Sequence, residues 1–569
     1  MPTLDFKGKQ FVYSHHHSVP FRELVIEDEK SLPKKNKKPS IDDNLIINGD
    51  NLHALKALMP LYAGKVKCIY IDPPYNTGNE GWCYNDNVNS PLMKEWLAKN
   101  ANPVDREDLQ RHDKWLCMMY PRLKLLHELL ADDGVIFVSI DDNEVHHLRA
   151  IMDDIWGEDN FYSEIIVRAN SRGQTYNQIA KTHEYVLTYS KTADIDFGEM
   201  KKDEENNDLN LSDNIGKYNI RELRNRNPKF GKHNRPNLYY PIYVDLKKSD
   251  KDGFFSVSLS SCENFTHKIN PLNSLGVESC WRWGQEKSQK NINLDTQLSN
   301  LVAKKKQDGG FSIYEKYRKM TFKPKSIWDE NKFLTESGTV ELNAIGIKEF
   351  QFPKPVGLIK QCIQLCTNED DIVLDSFSGS GTTAHAVLDL NKEDGGNRKF
   401  ILVEMENYAD SITAERVRRV INGVPNAKDE KLKQGLGGSF TFCKLGDEFN
   451  IEKILTGEAL PKYEALANYV FYTATGKSLE TPAKQKIDYF VGETDLFEVY
   501  LIYQPDIAFL RSNESALNAK MVEIISQRST SKKQKLVFAS AKYMGQNELN
   551  DHKIIFCQLP YAIHKIAGK

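Results

Sequence analysis

The 569-residue chain contains no apolar run approaching the roughly 20 residues that a membrane-spanning helix needs. Its first residues, "MPTLDFKGKQ", lack the apolar core of a secretory leader. Both absences lead to the expectation of a cytoplasmic protein with no membrane partner. Cysteine is sparse and odd in number, nine in all. The closest pair, Cys362 and Cys366, has no second pair at metal-ligand spacing, so the thiols read as reduced. Charge of one sign is missing too: 76 Lys and Arg stand against 79 Asp and Glu, a formal net charge of -3. Any nucleic-acid surface must therefore be a local patch. His15, His16 and His17 form the longest histidine run. With no acidic or thiol partner in view, they read as a solvated N-terminal segment, and no metal is expected.

What is present is α/β text on both sides of a different middle. A chain of this length exceeds one compact core, and about two to four domains is the ordinary expectation. Residues 1–43, with the basic, proline-bounded "SLPKKNKKPS", read as an arm or linker. From Asn44 strand-like and helix-like pieces alternate: "NLIING", "DNLHALKALM", "KVKCIYID", an amphipathic stretch from Lys114 to Leu130, then "GVIFVSIDD". That rhythm predicts parallel α/β units over 44–191. Val145, Leu148, Ile151, Met152 and Ile155 repeat at the spacing of one buried helix face, so His146 and His147 need no catalytic explanation.

Between 192 and 325 the text becomes polar, loop-rich and aromatic. Its densest basic stretch carries Lys217, Arg221, Arg224, Arg226, Lys229, Lys232 and Arg235, interleaved with Tyr218, Phe230, Tyr239 and Tyr240. Such a stretch suits phosphates and base edges, and equally suits a solvated charged face. The α/β rhythm returns over 326–424, and 425–569 follows with a mixed helix and strand pattern.

Two motifs carry chemistry. "DIVLDSFSGSGTTAHAVLDL" is a strand ending at Asp375, a tight turn with Gly379 and Gly381, and an immediate helix. The glycines remove side-chain obstruction, and the amides opening a helix favour an anion. The next strand, "RKFILVEME", ends in Glu404, where Rossmann-like folds present an acid to ribose hydroxyls. The other motif is "YIDPPYNTG". It follows a buried strand, placing Asp72, Pro73, Pro74 and Tyr75 at a carboxyl end of the sheet, where open α/β folds bind ligands. The prolines stiffen the turn and remove donors. A carboxylate and a backbone carbonyl then accept both hydrogens of a planar amine while Tyr75 stacks on its ring, which describes a nucleobase amine.

"DPPY" followed by "DSFSGSGTT", in that order, resembles the amino-group DNA methyltransferases of the permuted β class. "NGDNLHALKAL", "THEYVLTYSK" and "KPVGLIKQCIQL" fit the same pattern, over about Asn44 to Val424. "LVFASAKYMG…FCQLPYAIHKI" further resembles the modification subunits of type III restriction-modification systems. The resemblance implies a circularly permuted, Rossmann-like methyltransferase fold with a mostly parallel sheet. Its catalytic half would be 44–191, its S-adenosyl-L-methionine (AdoMet) half 326–424, with a target-recognition domain inserted at 192–325 and a C-terminal α+β domain for dimer or partner contacts.

The resemblance implies methylation of the N6 amine of an adenine flipped from double-stranded DNA. Asp72 and the Pro73 carbonyl would hold the amine, and Phe377, Ser378, Gly379, Ser380, Gly381, Thr382 and Thr383 would surround the cofactor. Glu404 would take the ribose, while Asp375, Asp50 and Lys354 match cofactor-flanking motifs. Arg221, Arg224, Arg226, Lys229, Lys232 and Arg235 become candidate DNA contacts. A homodimer and a helicase-nuclease restriction subunit are the implied protein partners, since this chain holds no GxxxxGK[ST] loop. Cytosine N4 methylation uses nearly the same chemistry, whereas C5 chemistry needs a nucleophilic cysteine, usually after proline, and no Pro-Cys pair occurs. A catalytically silent recognition subunit of a nuclease complex is the non-enzymatic alternative.

Overall fold

The computed structural model describes residues 4–77, 111–173, 178–193, 195, 197–201, 209–319, 321–449, 460–481, 483–528 and 533–559. The chain divides into two compact units: Met1–Gly198 with Lys325–Lys569, and Glu199–Pro324.

The first unit is built on a ten-stranded sheet. Its strands in chain order are β1 (Arg22–Ile26), β2 (Leu45–Asn48), β3 (Val66–Ile71), β4 (Leu130–Ile140), β5 (Phe161–Arg168), β6 (His183–Ser190), β7 (Ile327–Trp328), β8 (Ile372–Asp375), β9 (Lys399–Glu404) and β10 (Thr441–Glu448). Across the sheet they lie in the order β1, β10, β2, β9, β8, β3, β4, β6, β5, β7. Only β1 and β6 run against the rest. β3 and β9 are nearly continuous apolar runs buried along their length, as parallel strands covered on both faces must be.

The helices bracketing the motifs are α1 (Asn51–Tyr62), α2 (Arg111–Leu129), α3 (Val145–Trp156), α4 (Val356–Cys366) and α5 (Thr382–Asp394). α3 buries Leu148, Ile151, Met152 and Trp156, the face its spacing predicts. β3 and β8, far apart in sequence, are direct neighbours, with Val373 opposite Cys68 and Leu374 opposite Ile69. From β3 the chain steps to β4 on one side, and from β8 to β9 on the other. The motif strands therefore flank the point where strand order reverses, the place where open α/β sheets form a crevice.

The N-terminal segment is woven into this unit. β1 pairs with β10, and Leu32 bridges Phe440. The histidine run corrects the expectation of a solvated segment: His15 and His16 are buried. Glu128, invisible as a neighbour in the sequence, stands 3.7 Å from His16 Nε2. Burial drives the His16 pKa down to about 3, so the ring is a neutral packing group.

Residues 460–559 add a helix, Tyr463–Thr475, and a four-stranded sheet with one antiparallel and two parallel pairings. The Phe21 ring meets Tyr469 at 4.3 Å and Tyr472 donates to Glu128 at 3.1 Å, tying this region to the N-terminal segment and α2. The terminal "YAIHKI" lies outside the described residues. No helix among the described residues is long and apolar enough to cross a membrane.

The second unit is a seven-stranded antiparallel sheet, with Tyr240, Ile242, Val244, Trp281 and Leu301 in its core. Two aromatics of the basic stretch belong inside it. Tyr218 is fully buried, and Tyr240 donates its hydroxyl to the Trp283 carbonyl at 2.8 Å. Both are packing residues: Tyr218 takes a buried position on the strand Lys217–Glu222, and Tyr240 packs beside Trp281, whose Nε1 donates to the Tyr240 carbonyl at 2.7 Å.

Candidate active site

A cavity of about 980 Å3 opens at the switch point between β3 and β8. Asp72, Pro73 and Pro74 line one part; Asp375, Phe377, Ser378, Gly379, Ser380, Thr382 and Glu404 line another, with Asp50 and Lys354 completing the wall. Tyr75, Gly381 and Thr383 are not among the lining residues. The sequence also missed several that are, among them Tyr70, Arg122, Phe350, Phe352 and Tyr408.

β3 delivers Asp72 to the cavity, and packing behind the turn fixes it. Trp115 Nε1 of α2 donates to the Pro74 carbonyl at 2.7 Å, while among the described residues the Pro73 carbonyl accepts no hydrogen bond. Asn76 closes the turn in a left-handed conformation, φ 58°, with its side chain fully buried. Its amide donates to Glu144, which also accepts from His112 Nδ1 at 2.6 Å and His147 Nδ1 at 2.8 Å. The Glu144 side chain is 0 % exposed. These close His–carboxylate contacts are hydrogen bonds, and the cluster braces the turn from behind. Glu144→Ala strands buried donors, at about 1–3 kcal/mol. A lowered denaturant midpoint with reduced methyl transfer is the expected result, measured by urea unfolding and turnover.

The Asp72 Oδ1 atom is buried and has no hydrogen bond of good geometry among the described residues. Lys354 Nζ stands 3.5 Å from it. Lys354 itself donates to both oxygens of Glu184 at 2.8 Å and to the Tyr75 hydroxyl at 2.5 Å, while that hydroxyl lies 3.1 Å from Glu184 Oε2. Burial raises the Asp72 pKa, and the Lys354 charge opposes the rise. Burial likewise raises the Tyr75 phenol, helped by Asp72 and Glu184, so it stays protonated.

On the other side, the glycine turn is held from within. Asp375 accepts from the Phe377 amide at 3.0 Å and the Thr383 hydroxyl at 2.5 Å. Burial pushes its pKa up to about 7 against those two hydrogen bonds. Thr383 is fully buried, with its hydroxyl engaged by Asp375. Gly379 and Gly381 take φ 51° and 80°, and α5 begins directly after. Glu404 receives the Gly379 amide at 2.7 Å and the Glu406 amide at 3.0 Å. Beneath the turn, buried Arg416 donates to Ser380 Oγ at 2.8 Å and Thr382 Oγ1 at 2.7 Å. Asp50 caps α1 through the His53 amide and lies 3.5 Å from Arg122.

An α/β sheet with an acid-Pro-Pro-aromatic turn and a glycine turn on the two strands of its switch point defines a Rossmann-like methyltransferase. The DNA methylase family profile matches residues 66–415, which include both motifs. The EcoPI Mod subunit of a type III restriction-modification enzyme, from Escherichia phage P1, is 32 % identical over 468 residues, 76 % of this chain and 70 % of that protein. The StyLTI Mod subunit of Salmonella typhimurium is 32 % identical over 442 residues, of which the match covers 73 % of this chain and 62 % of that protein. The type II methyltransferase M.KpnI of Klebsiella pneumoniae is 32 % identical, covering 68 % and 89 %. The chain belongs to this family of DNA methylases.

Its cofactor is AdoMet, and the residues present fit that molecule. The hydroxyls of Ser376 and Ser378 are buried at the cavity without partners among the described residues, and Glu404 offers a carboxylate. Gly379 leaves a space that a Cβ would fill, 3.2 Å from Phe350 Cζ.

Proposed function

We propose that the chain methylates the N6 amine of an adenine flipped from double-stranded DNA, as the modification and specificity subunit of a type III restriction-modification system. The observation that carries the chemistry is the pair formed by Asp72 Oδ1, buried without a hydrogen bond of good geometry, and the Pro73 carbonyl, which accepts none among the described residues, at the end of the strand adjoining the glycine turn. Asp72 and the Pro73 carbonyl accept the two hydrogens of the amine and turn its lone pair out of the ring plane. Tyr75 packs on the base. Bound at the glycine turn, AdoMet supplies an electrophilic methyl group. Glu404 holds the ribose, while Phe377 and the Ser378–Thr383 turn enclose the rest. Positioning and electrostatic stabilisation of the charge developing on the amine then account for most of the acceleration.

The second unit supplies recognition in this proposal. Arg221, Arg226, Lys229, Lys232 and Arg235 are exposed on it, and Arg224 is half-buried. Arg224 and Arg226 share Glu222, Lys232 pairs with Glu278, and Arg235 lies over the Phe230 ring. Six cations against two acids leave a local positive surface suited to phosphates. The proposed assembly is a homodimer, in which one copy reads DNA while the other methylates, together with a helicase-nuclease restriction partner; the naming of the relatives as Mod subunits of type III restriction-modification enzymes supports the second of these.

Sequencing DNA from cells expressing the protein, with detection of modified bases, tests the reading. Adenine modified at N6 within one short sequence is the expected result. Modification confined to cytosine N4 moves the assignment to that amine, and specific binding without transfer leaves only a recognition subunit.

A further inference from the structure

The resemblance groups Lys354 with the cofactor residues, whereas its contacts lie on the other half of the site. Its ammonium has three N–H donors. Those hydrogens serve the Glu184 carboxylate, with both oxygens at 2.8 Å, and the Tyr75 hydroxyl at 2.5 Å. Nζ is 4.9 Å from the Tyr75 ring centroid and half that distance from the hydroxyl. The lysine therefore meets the phenol closest at its hydroxyl end, which fixes the plane of the ring. Asp72 remains 3.5 Å off, within range of the charge but beyond a close hydrogen bond. Lys354 is 11 % exposed and Glu184 10 %, while Asp72 keeps 27 % where it opens onto the cavity.

We propose that Lys354 and Glu184 are positioning residues for the target base: Lys354 keeps Asp72 ionised, and Glu184 holds the ammonium back so that the carboxylate stays free for the amine. This inference rests on the amine-methylating reading above. Only an ionised Asp72 is a pure acceptor; a protonated one offers a hydrogen where the amine also offers one. An entering base excludes water from the exposed part of Asp72 and makes the neighbouring positive charge more important. Without Glu184, nothing on β6 restrains the ammonium from closing on Asp72 and taking its lone pairs. Tyr75 gains its fixed ring plane from the same two partners.

The titratable groups facing Asp72 are Lys354 from the segment before α4, Glu184 from β6, Asp375 from β8, and Tyr70 and Tyr75 from its own strand and turn. Among them only Lys354 is a cation. Neutralising Lys354 and neutralising Glu184 must then move the Asp72 titration in opposite directions: the first removes an attraction for the carboxylate, the second a repulsion.

The test is the pH profile of kcat/KM for DNA at saturating AdoMet, which reports the groups of the DNA-free enzyme. The full-length protein is used, with AdoMet affinity measured separately by calorimetry. Lys354→Met is expected to move the acidic limb up by about one to two pH units, with AdoMet affinity held within about threefold. Lys354→Arg restores the limb. Glu184→Gln is expected to move it down while lowering the plateau about tenfold, and it serves if Lys354→Met fails to fold. An unmoved limb in Lys354→Met, or a loss of AdoMet affinity without limb movement, overturns the proposal and returns Lys354 to the cofactor. A wild-type protein that methylates no DNA overturns the functional reading as well, whereas active wild type with unshifted variants overturns only this inference.

Discussion

Asp72→Ala is expected to lower methyl transfer by about three orders of magnitude while AdoMet and DNA binding stay within a few-fold of wild type. Loss of a single preorganised hydrogen-bonding group at a reacting centre costs about 10²–10³ in rate. Here the same carboxylate both orients the amine and faces its developing positive charge, which places the loss at the upper end. Folding should survive. Burial already raises the Asp72 carboxyl, so its charge is held at a cost, and Lys354 keeps Glu184 and Tyr75 as partners when it goes. Asp72→Asn separates shape from charge: the amide fills the volume and its oxygen can still accept one hydrogen, but it brings no negative charge to face the amine's developing positive charge, so transfer should stay well below wild type. Radiolabelled methyl transfer with parallel AdoMet calorimetry checks this. Turnover of Asp72→Ala within tenfold of wild type would remove Asp72 from the chemistry.

The features legible in the sequence are those encoded within a few residues. A strand ending in Asp72-Pro-Pro-Tyr and a strand ending before Ser-Gly-Ser-Gly each state their own local geometry, and the 3.6-residue repeat of α3 states its buried face. The order of the motifs carried the permutation. Their adjacency, Val373 beside Cys68, belongs to strand pairing across 300 residues and had no local sign. Glu184 shows why the site was only half visible. It lies on β6, a strand that runs antiparallel to β4, and reaches Lys354 from a segment 170 positions away. Nothing about a His-Glu pair opening a strand distinguishes it from a solvated edge. The same holds for Glu144, whose partners come from the turn, α2 and α3. Tyr218 and Tyr240 make a related point: composition shows that aromatics are near cations, while only the fold decides which of them are buried.

The cofactor turn offers the second large effect, and it separates sterics from backbone strain. Gly381 has φ 80°, a region that costs an L-residue about 1–2 kcal/mol and a β-branched one more. A Cβ there would also lie 3.1 Å from the Thr413 carbonyl oxygen and 3.3 Å from Thr413 Cγ2. Thr413 cannot retreat freely, because its hydroxyl donates to the Gly379 carbonyl at 2.6 Å and so belongs to the same turn. In Gly381→Val the turn must therefore shift as a body, carrying the Gly379 amide off Glu404 and breaking the contacts of Ser380 and Thr382 with Arg416. The expected loss of AdoMet affinity is about 10²- to 10³-fold, the equivalent of about 3–4 kcal/mol. Gly395, at the far end of α5, supplies the control: its φ of 77° is nearly the same, yet nothing lies within 4 Å of the added Cβ. Gly395→Val should lose a similar amount of stability to strain and keep its AdoMet affinity. Equal affinities in the two variants, measured by calorimetry on folded protein, would mean that the turn between β8 and α5 does not hold the cofactor.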